Sequence, residues 1–298
     1  MQIPENILLK AKRDCKGVAF IIWVYLIVSL ASSLLFKYLD TQSPLSDRTI
    51  NIASCIVAIL AMTSAIFLAV KKYGFKIKKK YFIKNFSISI IPLMVVVIFG
   101  LNFINNLIML VISYLFNVST AQPEFIFGDD RIANAALVVS AVVIAPIFEE
   151  LLFRGAILRI LDRYNHTIAI ISSSILFAML HGSLAQWTYT FALGLILAYL
   201  SLKYDSLLLP MSIHFVNNMI SVLMTIYYND FMALLLIVLM LSGVAALIYL
   251  IWRNKHLFKI QRDWNYPFFQ YIFLNPFMIG ILIINIIKIL MEMFKYYI

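Results

Sequence analysis

The chain has 298 residues, of which 63% are hydrophobic and only 13% charged, and it carries a formal net charge of +10. Its apolar residues fall in runs too long for the core helices of a water-soluble domain, which excludes a soluble globular fold and predicts a polytopic membrane protein. The positive charge by itself would suit a nucleic-acid binder, but it sits in the loops between apolar runs, where membrane topology accounts for it. No nucleic-acid partner is expected.

A bilayer core about 30 Å thick takes about 20 residues of helix. Apolar segments of this kind lie near 18–36, 50–70, 87–116, 135–160, 167–184, 187–202, 208–228, 231–252 and 272–291. They predict an all-α polytopic helical bundle with eight or nine transmembrane helices, in which residues 1–298 form a single integral membrane domain. The first segment follows Lys10, Lys12, Arg13 and Lys16, is longer than a signal-peptide core and lacks an A-x-A site, so it reads as a retained span. Basic residues then recur at Lys71, Lys72, Lys76, Lys78, Lys79, Lys80 and Lys84, at Arg159 and Arg163, at Lys203, and at Arg253, Lys255, Lys259 and Arg262. The alternation puts these loops and the N-terminus on the cytoplasmic side. The opposite loops, "YLDTQSPLSDRT" and "PEFIFGDDRIAN", are neutral or acidic, as an outer face requires.

The lysine cluster from Lys71 to Lys84 is placed to lie on anionic lipid headgroups, at about 1 kcal/mol per charge near the surface. Asn102, Asn105 and Asn106 in the third segment either line a cavity or bond between helices. Cys15 and Cys55 match no metal spacing and lie too far apart in the expected topology for a disulfide. His166 and His256 fall in interfacial stretches and are expected to do no chemistry.

One stretch breaks the apolar pattern. In "APIFEELLFRGAIL", residues 145–158, Glu149, Glu150 and Arg154 stand about 15 Å inside the hydrocarbon by helix rise. Charges at that depth are costly unless paired or turned toward a polar cavity. Glu150 and Arg154, four residues apart, share a helix face and form an ion pair, whereas Glu149 points about 100° away and is left free. Pro146 removes a helical hydrogen bond, bends the span ahead of Glu149 and leaves a carbonyl open. Two further pairs spaced by four, Phe177 with His181 and His214 with Asn218, present polar groups from the next helices. By helix rise His181 lies about 21 Å and His214 about 9 Å from the cytoplasmic boundary, so a tilted or broken fifth span must close the gap. A carboxylate and two imidazoles can hold and activate a water, directly or through a metal, while amide and imidazole N–H groups stabilise an oxyanion. No serine or cysteine stands out as a nucleophile. A zinc site built from Glu149, His181 and His214 is compatible with the residue types but not demanded by them.

Together, "PIFEELLFRG", "FAMLH" and "HFVNN" resemble the EExxxR, FxxxH and HxxxN motifs of the CPBP family, which contains type II CAAX prenyl endopeptidases and bacterial abortive-infection and bacteriocin-immunity proteins. The resemblance covers residues 135–228 as a catalytic core, with 1–116 and 231–298 as flanking helices without a motif. It implies an intramembrane protease open to the cytoplasmic side. Glu149 would activate water, His181 would help hold it, and His214 and Asn218 would stabilise the oxyanion. Glu150, Arg154 and Phe177 would support them. The richness in Ile, Lys and Asn, with only nine glycines, points to an AT-rich bacterium and its plasma membrane. There a pheromone precursor, bacteriocin or other membrane peptide is a more fitting substrate than a prenylated protein. Two other readings are a non-catalytic membrane scaffold or immunity protein and a proton or cation transporter using the same charged residues.

Overall fold

A computed structural model describes residues 4–73, 84–118, 120, 127–253 and 266–294. The described residues form helices and no strands: α1 (Glu5–Gln42), α2 (Asp47–Tyr73), α3 (Ile90–Phe116), α4 (Arg131–Leu161), α5 (His166–Ala178), α6 (Leu184–Lys203), α7 (Leu208–Ile226), α8 (Asp230–Arg253), α9 (Tyr266–Phe273) and α10 (Pro276–Met293). Eight are long and apolar enough to cross a membrane: α1 to α4, α6 to α8 and α10. The protein is an all-α polytopic helical bundle. The expected fifth span, 167–184, is corrected to a helix of 13 residues, about 20 Å long. It stops at Ala178, and "MLHGS" forms a turn before α6. Lys76, Lys78, Lys79 and Lys80 of the expected lipid-facing cluster, and Lys255, His256, Lys259 and Arg262, lie outside the described residues.

Local chemistry sets the helix starts. The Asp130 carboxylate accepts from the N–H groups of Ile132 and Ala133 ahead of α4, Asn165 accepts from Ile168 ahead of α5, and Ser183 accepts from Gln186 ahead of α6. Each satisfies a backbone donor that the first helical turn leaves without a partner. Asn275 does the same for α10, with Pro276 at the first helical position.

Apart from the charges buried midway along α4, ion pairs lie at the two ends of the bundle. At the end where α1 begins, buried Asp14 accepts a 2.6 Å hydrogen bond from the Tyr164 hydroxyl and lies 3.8 Å from Arg163. At the same end Asp205 pairs with both Lys84 and Arg159 at 3.0 Å. Asp205 adopts a left-handed backbone, φ 47°, in the tight turn between α6 and α7, a conformation that aspartate tolerates better than most residues. At the other end Arg48 meets Asp130 at 2.9 Å, and Asn51 donates to the Ala133 carbonyl. Lys71 and Lys72 stand over the rings of Phe67 and Phe20. The sulfurs of Cys15 and Cys55 are free.

The core centres on the second half of α4, where Leu152, Phe153, Ala156, Ile157 and Ile160 have no exposed surface. By contrast α8 turns Leu234, Ile237, Val238 and Leu241 outward, as a helix against lipid does. It joins the bundle through glycine: a Cβ on Gly100 of α3 would collide with the backbone of Gly243 on α8, and one on Gly243 with the carbonyl of Val96. This is the small-residue contact by which membrane helices approach closely. Of the three asparagines on α3, Asn105 bonds between helices, donating to the Ala185 carbonyl and accepting from Thr188 on α6.

Two outcomes follow. Gly243→Leu pushes backbone against backbone and is expected to cost about 3 kcal/mol, read as a lower yield of monodisperse protein and a lower unfolding midpoint in detergent. The Asp130 carboxyl is held below the usual carboxylate range, chiefly by the Ala133 N–H and then by Arg48. A lowered folded-state value means that the cap stabilises the helix fully above that range and is lost as pH falls through it. The protection factors of amides in the first turn of α4, corrected for intrinsic exchange at each pH, are therefore expected to fall at acid pH, and Asp130→Ala to remove the pH step.

Candidate active site

The site begins with an irregular stretch of α4. Residues Ser140–Ile144 and Leu151–Ile157 are π-helical, on either side of the α-helical turn Ala145–Glu150. In the first of these the Ala145 N–H reaches back five residues to the Ser140 carbonyl. The next bond in that register would come from position 146, where proline has no N–H. The carbonyl of Ala141 thus has no donor in its own helix, and Asn218 of α7 supplies one, Nδ2 to O at 2.8 Å. The expected bend at Pro146 is accordingly a π-helical widening on both sides of the glutamates rather than a simple proline kink. Such bulges reset the angular register of the side chains that follow.

After the widening, Glu150 and Arg154 both point into the core, each with no exposed side-chain surface, and pair at 2.9 Å. The guanidinium is held three ways: by Glu150 Oε1, by the Gly194 carbonyl at 3.3 Å, and by the face of Phe177, 4.4 Å from Cζ to the ring centroid. Desolvation of two charges costs several kcal/mol each, and these contacts offset it. Gly194 makes the arrangement possible, since a Cβ there would stand 3.0 Å from Cβ and 3.1 Å from Cα of Ser174 on α5.

Glu150 Oε1 has a second partner, Nδ1 of His214 on α7, at 3.1 Å. A carboxylate only accepts, so Nδ1 carries the proton and Nε2 is turned the other way. There it lies 3.9 Å from Oε2 of Glu149, whose side chain keeps 15% of its surface exposed. The two neighbouring glutamates therefore face the two nitrogens of one imidazole. Glu150 is dry and neutralised, and Glu149 is reachable.

Phe177 organises the remainder. Its ring meets Phe153, His181 and His214 edge-on, with centroids 5.3, 5.2 and 5.9 Å away. His181 stands on the turn beyond α5, its Nδ1 donating to the Phe177 carbonyl at 3.2 Å and its backbone N–H to Ala178. Despite the depth difference that helix rise gives them, His181 and His214 both lie against the ring of Phe177, His181 on the turn that follows Ala178. Among the described residues no three His, Cys, Asp or Glu side chains are arranged to hold a metal ion.

Asn217 and Tyr189, which residue spacing does not single out, lie beside the site. The Tyr189 hydroxyl on α6 donates to Asn217 Oδ1 at 2.9 Å, and Asn217 Nδ2 donates to Asn218 Oδ1 at 3.1 Å. Asn217 adjoins a motif residue, and that was its only signal; Tyr189 had none. An apolar cleft of about 530 Å³ runs between α4 and α7, lined by Val143, Pro146, Ile147, Leu151, Met211 and Phe215 among others.

Residues 131–220 match the family model described as type II CAAX prenyl endopeptidase Rce1-like. The match runs from α4 into α7 and includes all of the motif residues named above. The chain is also similar to the UPF0177 protein YvdC of Lactococcus lactis subsp. lactis (strain IL1403), 25% identical over 132 residues, which are 43% of this chain and 51% of that protein. It spans about half the length of that curated relative. No solved structure matches. The resemblance read from the three motifs is upheld by the family match.

The ion pair yields a sharp expectation. Arg154→Ala leaves the Glu150 carboxylate buried with its cation removed, a change that costs about 3–5 kcal/mol, and protein yield should fall with it. Arg154→Met combined with Glu150→Gln removes both charges and should recover much of the yield, measured by size-exclusion chromatography in detergent.

Proposed function

We propose that the chain is an intramembrane endopeptidase in which Glu149 activates the attacking water. The observation that carries this reading is the bifurcated carboxylate of Glu150, which fixes His214 so that Nε2 faces the reachable Glu149 at 3.9 Å. The same chemistry recurs wherever a base and an oriented imidazole share a site. The family match over residues 131–220 supports the reaction class.

In this reading Glu149 takes a proton from water as the water oxygen attacks the scissile carbonyl carbon. The carbonyl π electrons move to oxygen, and the oxyanion is met by an N–H donor of Asn218, since the Nδ1–H of His214 is already given to Glu150. One N–H of the Asn218 amide is engaged at Ala141, and the second serves the oxyanion. Collapse of the intermediate breaks the C–N bond, and the proton held by Glu149 passes to the leaving amine. His181, whose Nδ1 is anchored on the Phe177 carbonyl, is assigned to help hold the water through its other ring nitrogen. No step is routed through a metal.

The substrate class follows from the surroundings. The apolar cleft between α4 and α7 would receive a hydrophobic segment or a lipid-modified tail beside the scissile bond. The substrate is a membrane-embedded protein or peptide, cut near the end of the bundle that carries Asp14 and Asp205. That end is cytoplasmic by the alternation of basic loops.

Glu149→Gln keeps the shape of the side chain and removes the base. We expect normal yield and a loss of cleavage of about 10²- to 10⁴-fold. Quantitative mass spectrometry of peptide termini, in membranes of cells expressing the native chain or Glu149→Gln at equal level, reads this directly. Termini formed equally by both would sink the proposal.

A further inference from the structure

We infer that Tyr189 and Asn217 are positioning residues that lock the amide of Asn218 in one orientation for the reaction, an inference that rests on the reading above. The carbonyl of Ala141 lacks a helical donor because position 146 is proline. A carbonyl only accepts, so Asn218 must turn Nδ2 toward it, as it does at 2.8 Å. That choice turns Asn218 Oδ1 toward Asn217, which must then answer with Nδ2, at 3.1 Å. Oδ1 of Asn217 is left facing Tyr189, whose hydroxyl donates to it at 2.9 Å.

An amide can turn over and exchange its oxygen for its nitrogen, but this relay has only one consistent polarity. Reversing Asn218 would set oxygen against oxygen at Ala141, and reversing Asn217 would do so at Asn218. The polarity is set at one end by a carbonyl that cannot donate, and at the other the Tyr189 phenol, which can donate or accept, gives its O–H to the oxygen that Asn217 is left with. Asn217 is buried, with 4% of its surface exposed, so water does not readily replace a lost partner. The relay spans three helices, α6 through Tyr189, α7 through the two asparagines and α4 through Ala141. It therefore ties the oxyanion donor to the widened stretch Ser140–Ile144, just ahead of the turn that carries Glu149. Tyr189 does not touch the reacting atoms in this scheme and acts only through Asn218.

The test uses full-length protein in micelles, labelled with ¹⁵N-asparagine, with the Asn218 side-chain signal identified by its disappearance in Asn218→Ser. Tyr189→Phe keeps the ring and removes one hydrogen-bond donor. It should shift the Asn218 amide signal and speed its proton exchange about tenfold. In proteoliposomes it should lower kcat about tenfold and move KM less than twofold, on a synthetic peptide spanning the Glu149-dependent cleavage site. Asn217→Asp, which cannot donate when ionised, should lose more. An Asn218 signal unmoved by Tyr189→Phe overturns the relay, and so does a moved signal with unchanged kcat. Cleavage that survives Glu149→Gln overturns the underlying reading of catalysis instead, and the asparagine signal keeps the two failures apart.

Discussion

A single oxygen, Oε1 of Glu150, accepts from both Arg154 Nη1 and His214 Nδ1 at a point with no exposed surface, and most of the central architecture follows from keeping that oxygen satisfied. In hydrocarbon an isolated carboxylate is expensive, so it needs a cation, and the cation needs its own surroundings. These are the Gly194 carbonyl and the face of Phe177. The requirement reaches outward from there. Gly194 must lack a side chain for α5 and α6 to approach, and Phe177 must sit where it can meet Arg154, His181 and His214 together. What looks like a polar accident in an apolar bundle is a set of partners spread over four helices, which leaves Glu150 Oε2 and Arg154 Nε buried without a hydrogen bond.

The second constraint is backbone geometry. Two π-helical stretches flank the glutamates, and the first coincides with a proline that cannot continue the π register. The orphaned carbonyl this creates is taken up by a side chain of α7, so the irregularity also docks one helix on another. Non-helical or widened backbone at membrane depth is tolerated where protein groups satisfy it, and here the satisfying group is the amide proposed to meet the oxyanion. Between the two stretches, consecutive glutamates face the two nitrogens of one imidazole, one buried and paired, the other reachable.

Much of this could be read from residues. Apolar runs of about 20 residues located eight spans because the bilayer sets helix length. The spacing of four between Glu150 and Arg154 foretold their pairing because helix periodicity survives through that stretch well enough. The end of the fifth helix was misplaced because "FAMLHGS" is as apolar as the helix before it, and only the turn geometry shows the stop at Ala178. Helix rise then misjudged the depth of His181. Contacts made by residues without a charge or a motif left no trace: the Gly100–Gly243 approach, Gly194 under Arg154, and Tyr189 behind Asn217. Each depends on which helices are neighbours, and local sequence does not encode that.

The central claim is that this charge-lined turn delivers water to a peptide carbonyl, and isotopic oxygen tests it most directly. Membranes containing the native chain would be incubated in H₂¹⁸O, and the new C-termini weighed by mass spectrometry. The account predicts one ¹⁸O atom in each new carboxylate, formed by the native chain and lost with Glu149→Gln. New termini that form without ¹⁸O, or labelled termini that persist when Glu149 is replaced, would contradict it.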